Sequence, residues 1–167
     1  MGSVVFSGGA FADSPREYQV KAAFLYHFVQ FTEWPEHVFT GPDMRIRICV
    51  YGDDPFAEYL VGTFMGKMLH ARRFRIQPRV SASTSHSCHV IFLNREIDAT
   101  RPDVRRALQR SQALTVGEAD DFLEQGGMIQ FYRVEKNIRF AINPNALKRK
   151  QIRLSSKLLR LARVKSK

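Results

Sequence analysis

Cys49, His86, Cys88 and His89 are the residues of this chain whose types suit metal ligation or electron exchange. Their spacing matches no strong zinc pattern, and on an extended segment His86 and Cys88 would share one face while His89 took the other. A disulfide is the simpler use of the sulfur. Cys49 ends one apolar run and Cys88 begins another, so two strand-borne cysteines could face each other and close a loop of 39 residues. The chain-entropy account values such a closure at ~4 kcal/mol. Two separate buried thiols also fit the spacing.

Gly52-Asp53-Asp54 stands where a doubly wound enzyme would hold a cofactor, but the glycine spacing of a dinucleotide or P-loop fingerprint is missing. The two carboxylates therefore read as a turn and a helix cap, since adjacent acids in one turn point apart. There is no nucleophile elbow, no H-E-x-x-H helix and no evident triad. The sequence thus gives no positive sign of catalysis and implies no cofactor and no metal. Arg153, Ser155 and Ser156 are a different matter. A guanidinium, two hydroxyls and the free N–H groups of a helix start can converge on an anion, and the competing expectation is an ordinary capped helix with a solvated positive face.

Charge is strongly localised. The 167 residues carry 26 Lys and Arg against 16 Asp and Glu, a net charge of +10. Eleven of the cations, from Lys136 to Lys167, lie in a stretch that holds no acid. Acidic protein surface, anionic headgroups or nucleic acid could each use such an end. Nucleic acid is disfavoured, because the aromatic residues are concentrated elsewhere instead of interleaving with these charges. No apolar run reaches the ~20 residues of a membrane span. Ala10-Phe11-Ala12 has the form of a secretory cleavage site after Val4-Val5-Phe6, without a full basic and apolar leader before it. Residues 1–12 are accordingly expected to be the remnant of a secretory signal or a cloning scar, and 13–167 a single α/β domain.

The elements that must position these residues are legible in outline. Ser14-Pro15-Arg16-Glu17 predicts a capped helix start with a capping box, and Trp34-Pro35 is expected to stop that helix. Tyr18, Val20, Ala22, Phe24, Leu25, Phe28, Val29 and Phe31 make it apolar on nearly every side, as in a helix sandwiched in the domain or shared with another molecule. Strands are expected at 46–51, 73–80, 90–93, 113–116, 128–134 and 138–142, the last two as a hairpin, with a helix at 103–110. A closing helix capped by Ser155-Ser156 should place Leu158, Leu161 and Ala162 on one face and Lys157, Arg160, Arg163 and Lys167 on the other. The sum is an α/β sandwich: a mostly parallel sheet of about six strands with an antiparallel edge hairpin, flanked by helices on both faces. Ligands of such sheets tend to sit beyond the strands' carboxyl ends.

Eight strings in order resemble one family. They are Tyr18 to Phe28, Phe31-Thr32-Glu33-Trp34-Pro35, Gly52-Asp53-Asp54-Pro55-Phe56, Cys88-His89-Val90-Ile91-Phe92, Leu114-Thr115-Val116-Gly117, Gly126-Gly127-Met128-Ile129, Ile138 to Asn143, and Ser155 to Ala162. Together they are similar to the YfiR-like family of exported bacterial proteins. The resemblance implies a periplasmic regulator, not an enzyme, that binds the periplasmic portion of an inner-membrane diguanylate cyclase and keeps it inactive, lowering cyclic-di-GMP and biofilm formation. It also implies a homodimer, and a redox-sensitive disulfide carried onto Cys49 and Cys88. Two departures stand out. A second cysteine pair known in some relatives is missing between Phe122 and Phe140, and His27 replaces a common Asn.

Within that expectation Phe31, Trp34 and Pro35, at the exit of the first helix, are the candidate partner contact. The alternative is a periplasmic small-ligand receptor for another envelope signalling protein, with Arg153, Ser155 and Ser156 holding an anionic group.

Overall fold

The first helix, α1 (Pro15–Gln30), starts as the sequence predicts: the Ser14 hydroxyl accepts the Glu17 N–H at 3.2 Å. The capping box is only half made, because the Glu17 carboxylate turns to Arg133 instead of back to the cap. The helix also ends before Trp34-Pro35. Phe31 closes it, and Thr32–Glu33 form a two-residue strand, β1. This computed structural model describes residues 13–164, so the expected leader remnant at 1–12 lies outside the described residues.

The elements that follow are β2 (Ile46–Tyr51), α2 (Phe56–Phe64), β3 (Met68–Leu69), β4 (Arg72–Val80), β5 (Val90–Leu93), α3 (Pro102–Arg110) and β6 (Leu114–Gly117). Next come β7 (Ile129–Val134), β8 (Asn137–Ile142), α4 (Pro144–Arg149), β9 (Arg153–Leu154), α5 (Ser156–Leu161) and β10 (Arg163–Val164). The main sheet has the order β10-β8-β7-β6-β5-β2-β4-β3. Its six long strands are the six expected, parallel except for the β7–β8 hairpin, and two-residue strands extend both edges. A separate ladder joins β1 to β9 antiparallel.

Two cores form because the central strands alternate between the sheet's faces. Ile48 and Val50 of β2 and Val90 and Phe92 of β5 point to the face covered by Leu25 and Phe28 of α1 and Leu60 and Phe64 of α2. Cys49, Tyr51, Ile91 and Leu93 point the other way, where Val104 of α3 and Phe122 cover them. On the first face Phe24 and Phe28 meet Phe131 and Phe140 with ring centroids 4.8 to 6.2 Å apart. The aromatic density of α1 is thus consumed inside the domain.

The C-terminal helix departs from expectation. Leu158 is buried, but Leu161 is 75% exposed. The helix is only six residues long, and Ala162 is already extended (φ −93°, ψ 152°) where the chain leaves to run parallel to β8. Leu161 is the last helical residue, and no further turn follows to carry the apolar face on.

Gly117 and Gly127 both lie against the Phe122 ring. A Cβ at Gly117 would stand 2.7 Å from that ring, and one at Gly127 closer still. Gly127→Ala should therefore cost about 1–3 kcal/mol through overpacking, read as a shift of the urea midpoint at unchanged slope. The cost should shrink in a Phe122→Ala background, where the obstruction is gone.

Candidate functional site

Cys49 and Cys88 are bonded to one another, with Cα atoms 6.0 Å apart. The link joins the middle of β2 to the residue just before His89, at the amino end of β5. Neither thiolate is therefore free to ligate a metal. Among the described residues no group of three or more His, Cys, Asp or Glu side chains is arranged around a metal position.

His89 is the centre of what the disulfide holds. It is 4% exposed, and its Nδ1 accepts the Arg47 backbone N–H at 2.9 Å. Its own backbone N–H donates to the Arg47 carbonyl, and its carbonyl accepts both the Leu114 N–H and the Trp34 indole N–H, the latter at 3.1 Å. The ring stacks on Phe39 at 4.7 Å. Burial, assisted by the Arg47 guanidinium, lowers the imidazole from 6.5 to about 4, so the ring is neutral at physiological pH.

The two candidate sets from the sequence meet at this end of the sheet. Thr32 and Glu33 pair with Leu154 and Arg153, and the Ser155 N–H donates to the Phe31 carbonyl at 2.9 Å. Phe31, Trp34 and Pro35 are each partly buried, as is Ser155, while Arg153 and Ser156 are exposed. Trp34 meets Phe39 edge-on at 5.8 Å, and the Arg72 guanidinium lies 4.2 Å over Phe39. The segment 34–39 is thus an aromatic strap tied to the amino ends of the parallel strands. The anion-site geometry is less developed than the sequence suggests. The Ser155 hydroxyl is engaged by the Lys157 N–H, the helix behind it has six residues, and Glu33 is the direct cross-strand neighbour of Arg153.

The carboxyl ends of the strands hold a different cluster, one that sequence reasoning missed. Lys21, only 3% exposed, bonds Asp13 at 2.6 Å and also Glu118, and Arg133 bonds Asp13 and Glu17. Burial raises Glu118 above the usual carboxylate range despite its lysine partner. Asp13 falls below that range, because the Lys21 ammonium and the Arg133 guanidinium outweigh its burial. Burial and the nearby carboxylates of Asp54, Asp13 and Glu118 push Tyr18 up to about 12. Asp54 itself accepts the Phe56 N–H at 2.8 Å and the Asn94 amide at 2.9 Å, the turn-and-cap role expected of it. The only sequence signal for this cluster is a lone Lys in an otherwise apolar helix. Every charge in it has a partner, so it closes this end of the sheet by internal ion pairing.

A groove of about 810 Å³ lies between α1 and the β7–β8 hairpin, lined by the apolar Val20, Phe24 and Ile138, by four cations and by the carboxylates of Glu17 and Glu135. No helix among the described residues is long and apolar enough to cross a membrane.

A family model described as YfiR/HmsC-like matches residues 18–163. No curated protein matches. The crystal structure of a conserved domain protein from Vibrio cholerae O1 biovar El Tor strain N16961 superposes with a TM-score of 0.58 at 14% identity, covering 91% of this chain and 60% of that one. The likeness concerns the fold, and this chain spans about 60% of that protein's length.

Two outcomes follow from the disulfide and its neighbour. Cys49→Ser should lose ~4 kcal/mol of stability, and reduced wild type should melt with the variant. Folding favours neutral His89, so its contribution is complete above 6.5 and declines as pH falls toward about 4. The slope there is at most about 1.4 kcal/mol per pH unit. In denaturation series across that window, His89→Gln should show a flatter dependence than wild type.

Proposed function

Since this chain belongs to the YfiR/HmsC-like family, whose YfiR-like members are known as periplasmic regulators of diguanylate cyclases, we propose that it is a periplasmic repressor of such a cyclase. It binds the periplasmic portion of the inner-membrane enzyme, holds it inactive, and so lowers cyclic-di-GMP and biofilm formation. The observation that carries this reading is the family match across 18–163. The family is regulatory rather than catalytic, and a protein disulfide persists in an oxidising compartment such as the periplasm.

On this reading residues 13–167 act as one domain, exported by a leader that ends near Ala12, and two copies associate as a homodimer. Repression is a matter of differential affinity: a binder shifts a two-state membrane protein only as far as it prefers the inactive state. The strap bearing Trp34 and Pro35, with Phe31 beside it, is the contact surface, because it presents aromatic area on a backbone fixed by His89. The exposed cations Arg153, Lys157, Arg160 and Arg163 draw the protein toward anionic headgroups, where the partner lies.

A second reading, a small-ligand receptor for another envelope signalling protein, is favoured by the groove between α1 and the hairpin. Its apolar lining and its excess of cations over acids suit an amphipathic anion.

The test uses the immobilised periplasmic segment of a diguanylate cyclase encoded beside this protein. Wild type should be retained and should lower cyclic-di-GMP in cells. Trp34→Ala should weaken retention roughly tenfold or more and restore cyclic-di-GMP, with a melting curve that still shows a cooperative fold. No retention of wild type, or equal retention of both proteins, would overturn the assignment. Strong thermal stabilisation by a carboxylate or phosphate metabolite, without retention, would favour the receptor.

A further inference from the structure

The outer edge of the sheet is finished unequally. β3 pairs only with Arg72 and Arg73, through Met68↔Arg73 and Leu69↔Arg72. From Phe74 onward the outer side of β4 has no strand beside it among the described residues. Pro78 lacks an N–H, Arg79 takes a left-handed conformation (φ 56°), and the register slips between Cys49 and Tyr51, so the far half of the edge is blunted. Phe74 to Gln77 are left as an open run of four residues.

That run is flanked by two different chemistries. Phe74 and Ile76 pair with Ile46 and Ile48 and share the helix-covered face. Beside them a cavity of about 450 Å³ is lined by Val61, Phe64 and Met65, with Val61 and Met65 46% and 73% exposed, and at its far side by Lys67 and by Met68 with its cross-strand partner Arg73. Arg75 lies on the opposite face next to Arg47 in the parallel register, with Arg73 one pleat away. Among the described residues neither Arg73 nor Arg75 has a carboxylate within ion-pair distance, and Arg47 shares its one acid, Asp43, with Arg45.

We propose that the Phe74–Gln77 edge of β4 accepts an extended segment of another protein as an added strand, with apolar and acidic residues alternating along that segment. Side chains of an added strand point alternately to the two faces. Apolar ones would enter the cavity beside Met65 and Val61, while acidic ones would meet Arg73 and Arg75. A second copy of this chain is a poor occupant, because antiparallel pairing of two such edges would set arginines against arginines with no acid between them. The inference rests on this edge alone and does not depend on the cyclase assignment.

The probe is a capped, fluorescently labelled hexapeptide of alternating Glu and Val. Its controls are a Lys-Val alternation and a block peptide of the same Glu and Val composition. The Glu-Val peptide should bind, more weakly as salt rises, and should slow amide exchange at residues 74–77 of wild type. Arg75→Glu and Met65→Asp, both at exposed positions, should each weaken binding roughly tenfold with melting unchanged. No binding, equal binding of the Lys-Val or block peptide, indifference to both substitutions, or exchange protection elsewhere would each overturn the proposal. So would self-association of the free protein abolished by Met65→Asp, which would assign the edge to a second copy.

Discussion

One covalent constraint organises the amino end of the sheet. The Cys49–Cys88 bond fixes the start of β5 against β2, and His89, the next residue, converts that fixed point into four hydrogen bonds. Three of these tie β5 to its neighbouring strands, and one, with the stacking of Phe39 on the imidazole, holds the strap from Trp34 to Phe39. A backbone carbonyl that accepts from both Leu114 and Trp34 cannot move without breaking a sheet bond and an anchor bond together. The partner surface proposed here therefore inherits its shape from a disulfide it does not touch. Local stability in proteins is uneven, and removing this link would be felt first at the strap, which is only partly buried.

The opposite end of the sheet is governed by charge instead. Lys21 and Glu118 lie 97 residues apart in sequence and are both nearly buried, with Asp13, Glu17 and Arg133 completing the pairing. A buried ion pair adds little net stability compared with an apolar core, yet breaking one partner away is costly because the other is left uncompensated. Its effect here is specificity. It fastens the start of α1 to the ends of β6 and β7, so the helix has one position over the sheet. The crevice where open α/β sheets commonly hold ligands is occupied by the protein's own side chains. Both surfaces offered to partners lie elsewhere, at the strands' amino ends and along β4.

What the sequence disclosed and what it hid divide along physical lines. Local patterns were readable: Ser14 with Pro15 set a helix start, alternation through Ile46 to Tyr51 set a strand with two buried faces, and Glu135-Lys136 set a hairpin. These depend on neighbours within a turn or two. The β1–β9 ladder, the two-residue edges β3 and β10, and the burial of Lys21 depend on residues far apart in sequence, and no periodicity encodes them. Leu161 was misplaced for a related reason: its helical spacing from Leu158 was sound, but the helix stops at Leu161 as the chain turns to pair Arg163 with β8, and the residue is left exposed. At the candidate site, the cysteine pair and Trp34 were visible as residue types. The role of His89 was not, because a histidine beside a cysteine resembles a ligand until its Nδ1 is found accepting the Arg47 N–H in a buried site.

The strap and the β4 edge are joined. Arg72, the first residue of β4, lies over Phe39 and donates to the Met44 carbonyl, so the strap is tied to the same strand whose open run starts two residues later, past the β3 pairing. A partner segment added along Phe74 to Gln77 would meet main-chain groups and arginines there and would stop at β3, leaving the aromatic rings of the strap as a separate contact on the same frame. Each chemistry alone gives modest affinity, since exposed ion pairs and short strand additions are individually weak. Held on one rigid frame they act together, and ordering costs fall mainly on the incoming chain. A regulator that acts by occupancy needs this asymmetry: it must remain the same shape while its target changes state, so that the difference in binding free energy is expressed in the target.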